Sequence, residues 1–432
     1  MQRKARKIKN WRSLAVSPLR RKALAIAEAG LWAIDTEQVL RRSLAVTPEG
    51  HLLVKGERFH LPRHGKLLVA AIGKCAFAAA RALEAILGDR IDGGIAVGVG
   101  EPHGLSRIYP YQGTHPFPSE KNVAASRELI AFLQSATKDD VVLTLISGGG
   151  STLLCLPPQG TCMGEEQLIK KLFHAGATIQ DINTIRKHLS FARGGFLAKE
   201  AYPAQVVSLI FSDVPGDDIA FISSGPTVYD HTTVRDARRV LEKFHLAREV
   251  PEGALLETPK EKRYFSRVRN ILLVSSHTAL AAMREEARQL GFRTRVDALY
   301  LRGEAAELGA HIITELHKAP RKSAYLYGGE TTVTVRGHGH GGRNLELALS
   351  ATRFVREGEI LVAIASDGRD NSRFGGAICD TIAKDHLIEK GIDIEQFLAN
   401  NDECPVYEAI GDYLMMGNTG SNVSDLMVVI KE

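Results

Sequence analysis

The chain has 432 residues, 44% hydrophobic and 24% charged, the composition of a soluble globular protein too long for one ordinary core, so two or three domains are expected. Its apolar runs are shorter than the ~18 residues a membrane helix needs, which excludes a membrane-spanning protein of helical type. The net charge of +5 is uneven: residues 1–22 hold nine Lys/Arg and no Asp or Glu, leaving 46 basic residues against 50 acidic ones in the rest.

That basic stretch, residues 1–17, reads as a solvated tail rather than a nucleic-acid, membrane or targeting segment, because it has no apolar core and few aromatics. A cytoplasmic protein is expected. Residues 17–43 then read as helix, with Leu24, Ala27, Leu31 and Ile34 on one face. An α/β series follows: strand 66–72, helix 75–88, strand 94–98, a Pro-containing turn at 113–119, helix 120–136, strand 141–146, a helix near 165–179, a polar segment 181–194, and strand 205–212. Residues 249–270 mix charge, Pro and Gly without a period and read as a linker. Beyond it the pattern restarts with strand 270–276, helix 277–290, strand 293–299 and helix 303–318. ETTVTV (330–335) alternates like an edge strand, and helix 343–357, strand 359–366, helix 377–390 and strand 424–430 close the chain. The expected fold is α/β: a Rossmann-like N-terminal domain (18–255) and a smaller C-terminal domain (270–432), both with largely parallel sheets, and an active site in the cleft between them. No internal repeat is present. The five cysteines are scattered without a C-x-x-C, so neither a zinc site nor a disulfide framework is expected, and each reads as a small buried hydrophobe.

Six apolar runs end abruptly in small or polar residues: at Gly73-Lys74, Ser147-Gly148-Gly149-Gly150-Ser151, Ser212-Asp213, Ser275-Ser276, Gly328-Gly329-Glu330 and Ser366-Asp367-Gly368. Open α/β sheets bind ligands at the carboxyl ends of their strands, and glycine lets backbone N–H groups approach an anion. The pattern points to a phosphorylated ligand and a metal. Gly73-Lys74 lacks the rest of a P-loop, since Cys75 stands where the Ser/Thr belongs, yet a lysine at a strand end needs an anionic partner. The Ser147–Ser151 turn suits an anion-binding nest. In GHGHGGRNLE (337–346), Arg343 and Asn344 open a helix, and the guanidinium fork suits carboxylate or phosphate. His338 and His340 lack a third ligand nearby and make a weak metal site. Asp213, Asp217 and Asp218, with Asp367 and Asp370, follow strands. Such carboxylates hold Mg²⁺, accept a proton, or simply cap turns.

In order, GKCAFAAA, THPFPS, LISGGGSTLL, DINTIRKHLSFARGG, SDVPGDDIAFISSGPTV, YGGETTVTVRGHGHGGRNLE, SDGRDNSRFGGAICD and NTGSNVSDLM resemble the glycerate 2-kinase family, whose C-terminal half is the MOFRL domain. The resemblance spans roughly residues 18–430. It implies ATP-dependent phosphorylation of D-glycerate at the C2 hydroxyl, with Mg²⁺, in a monomer or homodimer with a small-molecule substrate and no nucleic-acid or membrane partner. It makes Lys74 and Arg343 catalytic, with Asp213, and puts Asp213 and Asp367 at the metal. Nucleotide or substrate contacts fall on Gly73, Ser147, Gly148, Gly149, Gly150, Ser151, Gly328, Gly329, Glu330, Asn344 and Asn422. This chain departs from the family at Asn371, Ser372, Arg373, Phe374 and Asn418, which bears on the acceptor. Another small sugar acid as acceptor, a nicotinamide-dependent hydroxypyruvate reductase and a non-catalytic nucleotide-binding descendant are the alternatives. The reductase needs a G-x-G-x-x-G straight after a buried strand; GHGHGG (337–342) follows the alternating ETTVTV segment instead.

Overall fold

Strands of apolar, β-branched residues order the chain into sheets in a computed structural model that describes residues 5–61, 64–159, 162–214, 216–296 and 301–432. Two units emerge: residues 36–273, and residues 1–35 together with 274–432. Both are α/β.

In the unit 36–273, a short antiparallel sheet of β1 (Leu44–Val46), β2 (Leu52–Val54) and β3 (Glu57–Phe59) precedes the main one. The main sheet comprises β4 (Leu67–Ile72), β5 (Gly93–Gly98), β6 (Ile108–Gln112), β7 (Val141–Ile146), β8 (Gln205–Phe211) and β9 (Val268–Val274), in the order β6-β5-β4-β7-β8-β9. The pairings from β6 to β8 are parallel. β4 and β7 are buried at every residue, which is why they read as unbroken apolar runs. Helices such as Ala76–Leu87 and Glu120–Gln134 cover the sheet, and Leu129 and Leu133 pack with Ile72, Val97 and Ile146 in one core. The register aligns Ile72 with Val97 and with Ile146, and Ile146 with Ile210. The strand order reverses between β4 and β7, so the loops after them open at the topological switch point.

In the other unit, β10 (Arg293–Val296), β11 (Ser323–Gly329), β12 (Glu359–Ala365), β13 (Gly376–Asp380) and β14 (Asp425–Lys431) form a sheet in the order β10-β11-β14-β12-β13. Only the β10–β11 pair is parallel, so the expectation of a largely parallel sheet is corrected here to a mixed one. Helices Ala305–His317 and Arg343–Thr352 supply Ile312, Ile313, Leu345 and Leu349 to its core.

The division differs from the expected boundaries in four places. Residues 249–270 are no linker: Leu256 N–H donates to His188 O at 2.8 Å, and Lys260 Nζ donates to Asp230 O at 2.8 Å, so this segment stays within the unit 36–273. β9 extends the first sheet rather than opening the second. The basic tail docks instead of trailing in solvent. Ile8 is buried, Ile8 N–H donates to Glu28 Oε1 at 2.7 Å, Lys9 N–H donates to Met415 O at 2.7 Å, and Asn10 bonds to Tyr413 O and Met415 N–H. Helix Pro18–Ala33 belongs with the C-terminal residues too; a Cβ on Gly30 would lie 2.7 Å from Met283 Cγ, so glycine permits that approach. The Arg20 guanidinium, 1% exposed, grips Asp380 through two bonds of 2.7 Å and Asp412 through one of 2.5 Å.

Local expectations also shift. The polar segment 181–194 begins inside a helix, Ile179–Lys187, started by a Thr178–Asp181 capping box. The first residues of the expected helix 377–390 are β13, and the helix proper is Thr381–Glu389. ETTVTV makes one isolated bridge, Thr332 with Glu304, because the Glu304 carboxylate takes the Thr334 N–H and both threonine hydroxyls. Cys155 and Cys162 are joined by a disulfide, Cα atoms 6.2 Å apart, so these two are not independent buried hydrophobes as expected. The end of the expected strand 293–299 lies outside the described residues. No helix among the described residues is long and apolar enough to cross a membrane.

Candidate active site

At the switch point of the unit 36–273, β4 turns through Gly73 (φ +115°). A Cβ there would meet Ser147 Oγ at 2.2 Å, so only glycine fits. Gly73 N–H donates to Val97 O and Lys74 N–H to Gly148 O, both about one hydrogen-bond length (3.1 and 2.9 Å), which locks the two strand-end loops together. Ser147 is fully buried and structural: its hydroxyl accepts from Cys75 N–H at 3.2 Å and donates to Ile72 O at 3.2 Å.

The glycines of the next turn are shaped by side chains that press on them. A Cβ on Gly148 would fall 1.7 Å from Asp213 Oδ2. One on Gly149 would lie 3.0 Å from Lys74 Cγ and 3.2 Å from His115 Cδ2, and one on Gly150 would lie 2.1 Å from Ser223 Oγ. The Ser147–Ser151 backbone thus carries Lys74, Asp213 and His115 against it, with Lys74 and Asp213 half-buried. Burial pushes the neighbouring Cys75 thiol up to about 11; hydrogen bonds from Ser147 and Thr36 and the Lys74 charge oppose this, and Asp213 adds to it. Ser223 Oγ donates to Ser147 O at 2.8 Å, and the Ser224 and Ser151 hydroxyls are 2.9 Å apart. Both serines hold left-handed backbone (φ +52° and +60°), strain that the bonds around them sustain. His115, Ser223 and Ser224 were not singled out from the sequence, although each lies in a quoted motif. Asp218 caps its own loop by accepting the Ala220 N–H, and Asp217 is left-handed at φ +54°.

In the other unit the strand-end residues gather around Arg343. Asp425 sits opposite Gly329 on one side and Ala365 on the other. Its two carboxylate oxygens accept from Arg343 Nε at 2.5 Å and Nη2 at 3.2 Å, while Nη1 donates to the exposed Glu330. Burial works against the Arg343 cation, but Asp425 and then Glu330 outweigh it and hold it charged; burial likewise raises the Asp425 carboxyl against the pull of Arg343. Asp425 was missed from the sequence, though it ends the NTGSNVSD motif. Among the described residues three of the five guanidinium N–H donors are engaged, which leaves one on each terminal nitrogen.

The helix bearing Arg343 is anchored by Asp370, which is buried and accepts from Leu345 N–H at 2.8 Å and Asn344 Nδ2 at 3.2 Å. Asn344 is therefore turned inward, not toward solvent. Gly328 packs on Leu280 and Ser276, and Gly329 (φ +158°) on the Leu301 backbone, so both have packing reasons to be glycine. Asp367 Oδ1 accepts the Arg369 N–H of its own turn, and Asn422 Oδ1 the Ser424 N–H. In the GHGHGG run, a Cβ on Gly337 would lie 2.3 Å from Asn400 Oδ1 and one on Gly339 2.3 Å from Asp402 Cβ. The glycines there serve packing. Asn371 takes a left-handed φ of +50° and donates to Gly341 O, and Phe374 is fully buried. No group of three or more His, Cys, Asp or Glu among the described residues is arranged to cage a metal. Mg²⁺ at a nucleotide needs only one or two carboxylates beside the phosphates, and the half-buried strand-end Asp213 of one unit and Asp367 of the other are each of that kind.

Glu403, 1% exposed, lies against Gly341, and its Oε1 has no partner among the described residues. Burial, then the Glu346 charge, push its carboxyl from 4.5 to about 8. The folded chain keeps this proton where the unfolded chain has released it, so stability falls as pH rises from about 4.5 to about 8 and levels off above. Glu403→Gln removes that slope: the variant gains on wild type across this window, by at most ~5 kcal/mol at its top. Urea unfolding at several pH values reads it, and parallel pH profiles for the two proteins would refute it.

Residues 22–256 match the family model described as a domain of unknown function, DUF4147, and residues 323–425 match the MOFRL family. The chain is 36% identical to the glycerate 2-kinase of Pyrococcus horikoshii, covering 95% of this chain and 97% of that protein. A relative from Agrobacterium vitis, provisionally named a hydroxypyruvate reductase, is 34% identical over 92% of this chain and 95% of its own. The crystal structure of glycerate kinase from Thermotoga maritima superposes with a TM-score of 0.79 at 32% identity, covering 94% of this chain and 98% of that one. With family matches across both units and relatives alike over nearly the whole length, the chain belongs to the glycerate kinase family with a C-terminal MOFRL domain.

Proposed function

We propose that this chain is a cytoplasmic kinase that transfers the γ-phosphoryl group of ATP to the C2 hydroxyl of D-glycerate, giving 2-phosphoglycerate and ADP. The observation that carries the reading is the similarity, over 95% of the chain, to a relative named glycerate 2-kinase. Local chemistry supports it: the switch-point turn packs a lysine and an aspartate against glycine backbone, where a phosphate can approach N–H groups closely. In the transfer, the bond from Pγ to the β–γ bridging oxygen breaks and a bond from Pγ to the C2 oxygen forms. The hydroxyl proton passes to Asp213. Lys74 and the two remaining N–H donors of Arg343 stabilise charge on the reactants as it builds. The Ser147–Ser151 backbone, with Gly73, binds nucleotide or substrate, as do Gly328, Gly329, Glu330 and Asn422; Asn344 acts through its hold on Asp370. Mg²⁺, held by Asp367 when Asp213 takes the proton and by Asp213 otherwise, would supply charge neutralisation on the phosphates.

A second reading, the reductase, is favoured only by the name of the Agrobacterium vitis relative. The GHGHGG loop, its match to a dinucleotide fingerprint, is pinned by His338 N–H to Asn400 Oδ1 and by His340 N–H to Asp402 Oδ1. A coupled ADP-release assay against a panel of 2-hydroxy acids, with NMR locating the product phosphate, tests the kinase. The expected result is ADP release with D-glycerate and phosphate on C2. NADH oxidation with hydroxypyruvate, without ADP release on any acid, would overturn it.

A further inference from the structure

Most buried cations of the unit 36–273 have a carboxylate of their own. Lys187 meets Asp230 at 3.2 Å, and Arg193 Nη1 meets Glu165 Oε1 at 2.6 Å. Arg193 does not have Glu165 to itself, because a second cation, Arg186, also feels that charge. Arg193 is fully buried, donates a second bond from Nη1 to Arg186 O at 3.0 Å, and leaves Nε and Nη2 without any partner among the described residues. Arg186 is half-buried, and its guanidinium makes no hydrogen bond or close ion pair among those residues, Glu165 acting on it only through space. Two guanidinium groups therefore share one carboxylate, Glu165, in a poorly solvated place. Burial first, then the Arg193 charge, lower the Arg186 cation, with Glu165 opposing. Like charges in low dielectric and orphaned N–H donors both cost free energy. An anion seated against Arg186 offsets the repulsion between the two cations.

The hydrogen-bond web ties this pair to the switch-point turn. Ser190 Oγ donates to Leu154 O at 2.7 Å and accepts from Leu156 N–H at 3.0 Å, just after the helix that the turn opens. Gly194 N–H donates to Ser224 O at 2.8 Å, and Ser224 meets Ser151. On the face of the helix that bears Arg186, Asn183 Nδ2 donates to Ala220 O at 3.2 Å, in the loop that carries Asp213. We propose that Arg186 and Arg193 form an anion subsite that takes a carboxylate or phosphate group of a reactant, with Arg186 touching it and Arg193 holding it in place. The identity of that reactant rests on the kinase reading; the anion site itself does not.

The test is Arg186→Gln in the full chain, with Arg186→Lys beside it. A charge-assisted hydrogen bond of the usual strength predicts a rise of about 10-fold or more in one KM. A rise for D-glycerate with the ATP value unchanged assigns the site to the acceptor carboxylate; the converse assigns it to a nucleotide phosphate. Arg186→Lys recovers part of the loss, and the melting temperature stays within a few degrees of wild type. In parallel, inorganic phosphate protects Arg186 of wild type from phenylglyoxal, read by peptide mass. Wild type that releases no ADP with any acid defeats the kinase reading, while phosphate protection would still support the subsite. Unchanged KM values in Arg186→Gln, or equal labelling with and without phosphate, overturn it.

Discussion

Lys74→Ala is expected to lower kcat for phosphoryl transfer by at least ~100-fold, the scale for removing one preorganised electrostatic group. The side chain lies at the carboxyl end of a central strand against Gly149, half-buried, so its loss opens no core and the variant should melt close to wild type. Arg343→Ala should cost as much in kcat but also destabilise its unit. Asp425, 1% exposed, would be left as an unpaired buried carboxylate, a loss of roughly 3–5 kcal/mol. The two variants therefore separate by thermal melting while matching in rate. Near wild-type turnover in either removes that residue from the mechanism, and an unchanged melting temperature for Arg343→Ala would show that Asp425 finds another partner.

The second large effect concerns folding. Arg20→Met should destabilise the unit built from residues 1–35 and 274–432 by about 3–5 kcal/mol, because Asp380 and Asp412, both nearly inaccessible, lose their cation at once. Adding Asp380→Asn and Asp412→Asn should restore part of the loss, since no buried charge then remains and asparagine can keep the cap on Ala383 N–H. Urea unfolding measures both. A loss below about 1 kcal/mol for Arg20→Met would mean water reaches the carboxylates.

The strand-end loops were legible because a parallel strand buried on both faces has one sequence signature, an apolar run, and stops where backbone must meet ligand. β4, β7 and β8 fall within a residue or two of the runs ending at Gly73, Ser147 and Ser212. The same signature hid strand direction in the second sheet: β12 and β14 are buried almost throughout and antiparallel, and apolar composition carries no polarity. It hid membership too, since nothing in VRNILLV says which sheet it joins. The basic tail misled because charges dominate its composition, whereas Ile8, Asn10 and the Ile8 and Lys9 N–H groups dock it, with Lys7 pairing with Asp35. Among site residues, Lys74 and Asp213 were found and share one turn. Asp425 was not found, because a buried carboxylate inside a strand looks like a stray polar residue until its arginine is located.

The split of one unit between the two ends of the chain has a bearing on synthesis. Residues 36–273 can mature while still attached to the ribosome, but the helix Pro18–Ala33, with Leu24, Ile26 and Leu31 all hidden in the finished protein, must wait for more than two hundred further residues before the helix Ser276–Gln289, β12 and β14 that it packs on exist. During that delay it presents apolar surface with no home. The nascent polypeptide is thus most exposed to chaperones and to aggregation along this helix, which later-made elements cover.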